Sequence, residues 1–136
     1  MKARILFLSL ICFTLFYSCQ QAESTAISAT KKGMVKVTLL YPNAEGKTFD
    51  MNYYENNHMP MVASLLGDAL KLVKIDRGFA GRTPDDAVPY LAIGYLYFDS
   101  LAAYQDAFGP NAEKIVSDIP NYTNIQPIVQ ISEIIQ

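Results

Sequence analysis

Residues 90–98, YLAIGYLYF, are apolar on both faces of an extended chain: Leu91, Ile93, Tyr95 and Tyr97 point one way, Ala92, Leu96 and Phe98 the other. Side chains alternate along a strand, and a strand apolar on both sides belongs in the middle of a sheet that is covered on both sides. The rest of the chain must therefore supply flanking strands and enough cover for two faces.

Three further segments supply strands. MVKVTLLY (34–41) places Val35, Val37, Leu39 and Tyr41 on one face against Lys36 and Thr38 on the other, and ends at Pro42 and the turn-like PNAEGK. LKLVKIDRGFAG (70–81) reads as a strand, with Gly78 and Gly81 marking a bulge and an exit, and IQPIVQISEII (125–135) as the last strand. Two helical patterns alternate with them. Asp50 caps a helix running to Leu66 and ended by Gly67; Asp99-Ser100 cap LAAYQDAF, which Gly109 stops before Pro110 opens a further helical segment to about Asp118. RTPDDAVP (82–89) reads as a surface loop, its adjacent Asp85 and Asp86 as solvated carboxylates.

The order β-α-β-β-α-β defines an α+β, ferredoxin-like domain with a four-stranded antiparallel sheet over residues 34–136. Two helices cover one face. The other calls for a second copy of the sheet, a homodimer through the sheet faces. The alternative is that Lys36, Thr38, Gln126, Gln130 and Ser132 leave that face polar enough to meet water.

The amino terminus has a different character. Lys2 and Arg4 precede an apolar run from Ile5 to Tyr17, the pattern of an export signal over residues 1–18. LFYSC ends it in the manner of a bacterial lipobox, which would make Cys19 the lipidated first residue of an exported, membrane-anchored protein, periplasmic or at the cell surface; the alternative is ordinary cleavage nearby and a soluble secreted product. Residues 19–33 read as a flexible tether. The only other cysteine, Cys12, lies within the signal, so the domain holds no thiol for disulfides, thiolate metal sites or nucleophilic catalysis. Without Lys2 and Arg4 nine basic side chains face 13 acidic ones, a balance that argues against nucleic acid as a partner.

The single histidine, His58, stands in NYYENNHMPM (52–61). At helical spacing Met51, Tyr54, His58, Met61 and Leu65 share a stripe, the spacing of an ordinary core-facing helix. Two residues on, Pro60 cannot donate to the carbonyl of Asn56 and crowds it, so the helix is expected to kink or break there, with Met59 pushed from helical geometry. That leaves a polar notch beside an imidazole, flanked by Tyr53, Tyr54, Asn56 and Asn57. His58 is then either a half-buried packing residue or an acid or base with Tyr54 orienting its ring.

DMNYYENNHMPMV resembles the EthD family, whose members carry an aromatic-rich first helix leading to His-x-Pro-(Leu/Met). VPYLAIGYLYFDSLAAYQDAF and PIVQISEI resemble that family's third strand, second helix and last strand, so the resemblance spans residues 34–135. It implies a dimeric α/β barrel of two ferredoxin-like subunits with pockets between helices and sheet, His58 standing at the matching histidine position. Relatives are associated with ether degradation and aromatic polyketide processing, and the wider superfamily includes lactone isomerases, cofactor-free monooxygenases and haem-binding enzymes.

These readings converge on a site for a small apolar or aromatic carbonyl-type molecule. His58 and Tyr54 are its candidate catalytic pair; Tyr53, Asn57, Met61, Tyr90 at the mouth of its strand, and Gly94 are candidate ligand-binding residues. No cofactor is expected: one histidine without cysteine makes a metal site unsupported, and no glycine-rich phosphate loop is present. A non-catalytic binding or scaffold dimer is the alternative, and haem on an axial His58 a third reading.

Overall fold

The computed structural model describes residues 30–136. The expected export signal, Cys19 and most of the expected tether lie outside the described residues. The tether's last residues turn into the fold: Gly33, at φ 88°, donates its N–H to the Ile134 carbonyl at 2.7 Å.

Four strands, β1 (Val35–Pro42), β2 (Leu70–Arg77), β3 (Tyr90–Phe98) and β4 (Ile128–Glu133), form one antiparallel sheet in the order β2-β3-β1-β4. The expected ferredoxin-like arrangement is the observed one. Register pairs Val37 with Leu96, Leu39 with Gly94 and Tyr41 with Ala92, which stacks the apolar positions of the two central strands on one face. That face carries the core, in which Val37, Tyr41, Ala92 and Phe98 are buried against the helices. The second strand is shorter than expected, and its register irregularity lies between Leu70 and Leu72 instead of at Gly78. Gly78 has another reason to be glycine, since a side chain there would collide with the Tyr90 carbonyl.

The first helical arm departs from a plain helix. Asp50 caps it as expected, its carboxylate accepting the Tyr53 N–H at 3.0 Å. A short α1 (Met51–Tyr53) then widens into a π turn over Tyr54–His58 before α2 (Met59–Leu66) resumes. No break occurs at Pro60, and Met59 keeps helical angles of φ −67° and ψ −37°. The extra residue of the π turn takes the place of the expected kink. The Met59 N–H reaches back five residues to the Tyr54 carbonyl, and Pro60, lacking an N–H, occupies the first turn of the resumed helix, where none is needed.

One inserted residue also shifts the phase of the resumed helix. Tyr54, His58, Val62 and Leu66, four apart throughout, are buried together with Met59, and Met61 and Leu65 of the expected stripe turn partly outward.

The second arm comprises α3 (Leu101–Phe108), capped by the Ser100 hydroxyl on Ala103 N–H at 3.1 Å, and α4 (Ala112–Ser117), joined by a 3₁₀ turn at Gly109–Asn111. A second 3₁₀ turn, Ile119–Asn121, leads toward β4. The described helices lie on one side of the sheet. The other side presents Lys36, Thr38 and Leu40 from β1, Leu72, Lys74 and Asp76 from β2, Ile93, Tyr95 and Tyr97 from β3, and Ile128, Gln130 and Ser132 from β4, a surface of mixed apolar and polar side chains on which Lys36 lies 5.9 Å from the centre of the Tyr95 ring.

Candidate functional site

His58 is 4% exposed and closes the π turn, with Tyr54, fully buried, opening it. Their rings stack at 5.6 Å between centroids with 16° between planes. Residues four apart share a face of a helical turn, which lets the two rings stack.

The partner that orients the imidazole comes from the other helical arm. Asp118 ends α4, and its Oδ2 lies 2.8 Å from His58 Nδ1. The same carboxylate accepts on Oδ1 from the Tyr53 hydroxyl at 3.0 Å and from Asn121 Nδ2 at 2.8 Å. Three donors fix both of its oxygens. Partial burial raises the Asp118 pKa, but the hydrogen bonds from His58, Asn121 and Tyr53 outweigh it and hold the carboxyl below its ordinary range. Burial dominates at His58: it disfavours the imidazolium and pushes the pKa down, with the Asp118 hydrogen bond and charge opposing. The arrangement is a neutral imidazole donating from Nδ1 to a carboxylate.

That leaves the Nε2 lone pair. The Tyr122 hydroxyl faces it at 3.4 Å, and the same hydroxyl lies 2.9 Å from that of Tyr41. Tyr122 is held from behind by the start of the first arm: its carbonyl accepts the Asp50 N–H at 2.7 Å, and Phe49 pairs with Thr123. Tyr41, Phe49, Tyr54 and Tyr122 form an aromatic cluster with centroid separations from 4.8 to 6.0 Å, such pairs contributing about 0.5–1.5 kcal/mol each. Burial raises the pKa of all three tyrosines, so they are neutral donors throughout the physiological range.

These groups form the polar end of a cavity of about 140 Å³ between helices and sheet. Val37, Leu39 and Leu96 line it from the sheet, and Met59, Val62, Phe108 and Ile115 from the helices. Val116 and Val129, each half exposed, and the exposed Gln126 mark its opening between α4 and β4.

The structure brings His58 and Tyr54 together on this wall as expected. The other expected ligand-binding residues stand elsewhere. Tyr53 lies behind the wall and orients Asp118. Asn57 points outward and is exposed, and Met61 has been turned off the wall by the π turn. Tyr90 pairs with Pro42 at the far end of its strand. Gly94 contacts Tyr54 instead of leaving space for a ligand: a Cβ there would fall on the Tyr54 hydroxyl. Haem does not fit, because the described residues lining the cavity include no Lys or Arg to meet its propionates.

Sequence reasoning missed Asp118, Tyr122 and Tyr41. Alternation puts Tyr41 on the inner face of its strand, but nothing local distinguishes it there. Asp118 and Tyr122 flank IPN at the end of a helical segment, and the nearest thing to a signal is that a buried lone histidine requires a partner.

Comparison with known proteins bears on the same region. The EthD domain profile matches residues 45–126. The crystal structure of an EthD-like protein from Ralstonia eutropha JMP134 is 38% identical, with a TM-score of 0.72 over 76% of this chain and 93% of that one. An ethyl tert-butyl ether D (EthD) family protein from Bacillus halodurans C-125 shares the fold at 19% identity, with a TM-score of 0.52 over 74% and 97% of the two chains. No curated protein matches the chain.

Proposed function

The chain belongs to the EthD family, and from that premise we propose that it binds a small apolar or aromatic carbonyl-type molecule in the helix–sheet cavity, with His58 as the acid–base group of a cofactor-free reaction. The observation that carries this reading is the His58–Asp118 pair at 2.8 Å on the wall of an otherwise apolar cavity.

The chemistry follows from the tautomer. With Nδ1–H committed to Asp118, Nε2 is the base, and its 3.4 Å contact with Tyr122 is long enough to be exchanged for a ligand. A proton taken from carbon beside a carbonyl would create an imidazolium, which the Asp118 carboxylate stabilises without being protonated itself. Returning that proton to another carbon isomerises the ligand; delivering it to a departing hydroxyl dehydrates it. An oxygenation would need dioxygen as second substrate. Tyr122 and Tyr41 supply neutral hydroxyls beside the same nitrogen.

The amino-terminal signal and Cys19 support an exported, lipid-anchored protein, and the apolar outer face of β3 supports a homodimer through the sheet faces. A second reading, a binding protein without turnover, is favoured by the capping of Nε2 by Tyr122.

The experiment is NMR observation of the C2 proton of His58, the only histidine, while small aromatic ketones, lactones and phenols are added. A shift with one class supports the reading and names the compounds for turnover assays; no shift with any class overturns it. Among compounds that bind, loss of turnover in His58→Ala with ligand affinity kept identifies an enzyme.

A further inference from the structure

Among the buried side-chain polar atoms of the described residues, the Tyr54 hydroxyl has no hydrogen-bond partner. Its side chain is fully buried, it lines the cavity, and it stacks on His58. The neighbouring hydroxyls are engaged. Tyr41 and Tyr122 bond to each other at 2.9 Å, and Tyr122 also faces His58 Nε2. A phenol has one proton to give, and leaving it buried and unpaired costs folding free energy, which an entering group that accepts the proton would recover. Gly94 underlines the point, since the strand carries no side chain where the Tyr54 hydroxyl sits.

The remainder of the lining restricts what can enter. Among the described residues, none of the side chains lining the cavity is Lys, Arg, Asp or Glu. An anionic ligand would find no counter-charge there and would lose its hydration, whereas an uncharged molecule loses little. The apolar walls fit a hydrocarbon body, with His58, Tyr41, Tyr54 and Tyr122 gathered at one end.

We propose that Tyr54 is the specificity-determining donor of the cavity, giving its hydroxyl proton in a hydrogen bond to the oxygen of an uncharged carbonyl compound, and that the site rejects the corresponding carboxylates. This inference rests on the small-molecule reading of the cavity. It adds which atom of the protein receives the oxygen and which charge state is admitted.

The test compares three probes, 1-indanone, indane and benzoate, by the shift of the His58 C2 proton in the intact protein and in Tyr54→Phe. Phenylalanine keeps the ring and its stacking and removes an unpaired group, so the variant is expected to fold, which its thermal melting checks. In the unaltered protein indanone should bind about tenfold more tightly than indane, the worth of one good hydrogen bond, and benzoate should not compete. In Tyr54→Phe the indanone preference should vanish while indane affinity stays. If both neutral probes bind and the preference survives in Tyr54→Phe, or if benzoate binds as well as indanone, the assignment is overturned and the cavity reading stands. If none of the three shifts His58, both fall.

Discussion

The imidazole Nδ1 of His58 lies 2.8 Å from Oδ2 of Asp118, sixty positions later in the chain. Two helical arms that share no sequence pattern are thus joined by a charge-assisted hydrogen bond, which decides which nitrogen of the histidine faces the cavity.

Replacing that carboxylate tests the arrangement directly. The Asp118 hydrogen bond and charge both raise the His58 pKa against burial, so Asp118→Asn should lower the titration midpoint of the C2 proton below that of the unaltered protein. The variant should also lose about 1.5–3 kcal/mol of stability, the range for a hydrogen bond to a charged group. An unchanged or higher midpoint would show that the pair does not govern the imidazole.

Acid should destabilise the fold in two steps. Because burial holds the folded pKa of His58 below its ordinary 6.5, the unfolded chain binds more protons between the two values, and the stability of the neutral form, complete above pH 6.5, is lost as the pH falls. Asp118, lowered from an ordinary 3.8 by its three donors, contributes stability that is present above that value and lost as the pH falls through the depressed one. Urea midpoints measured from pH 8 to 3 should be level at the alkaline end, decline below about 6.5 and decline again below about 4. His58→Gln should flatten the first decline; if the decline persists unchanged, His58 is not its source.

Gly94 and Tyr54 should be coupled. A methyl group at position 94 would fall on the Tyr54 hydroxyl, its next contacts being Leu39 Cδ1 at 3.4 Å and Tyr54 Cζ at 3.6 Å. Gly94→Ala should therefore cost about 1–3 kcal/mol, and in a Tyr54→Phe background at least about 1 kcal/mol less. Tyr54→Phe alone should raise stability by about 1 kcal/mol, because it deletes a buried hydroxyl without a partner. Chemical denaturation of the four proteins completes the cycle, and additive losses would place the Gly94 constraint elsewhere.

The outer sheet face makes a prediction about assembly. Ile93 sits at its centre on β3, paired with Leu40 of β1 and Asp76 of β2. Sedimentation velocity should show a dimer, and Ile93→Lys should shift it to monomer with the helix–sheet cavity still binding its ligand. A monomeric unaltered protein would remove the sheet faces as the interface.

The scaffold was readable because each of its signals is local. Period-two alternation marks Val37 and Leu96 as inward, and Asp50 and Ser100 announce their helices as caps. The site was readable on one side only. His58 and Tyr54 stand a turn apart on one segment, so spacing alone pairs them. Asp118 and Tyr122 reach them through tertiary packing, which leaves no trace in the neighbouring residues. Pro60 does signal a disturbance in the first arm, but a proline does not reveal whether a helix bends or takes in an extra residue. The two outcomes present different faces, and that is why periodicity puts Met61 on a wall that Val62 lines.

The π turn also has a genetic meaning. Each residue of a helix advances the face by about 100°, so a codon added to a plain helix would turn every later side chain away from its place. Absorbed in one widened turn, the same addition leaves the later residues where they were. Losing one codon between Tyr54 and His58 would by the same reasoning return the arm to ordinary winding with Val62 and Leu66 still against the sheet. A lineage could thus lose the stacked tyrosine and histidine geometry in a single deletion while the sheet, the caps and the core went on folding, and a second lineage could gain it by the reverse event.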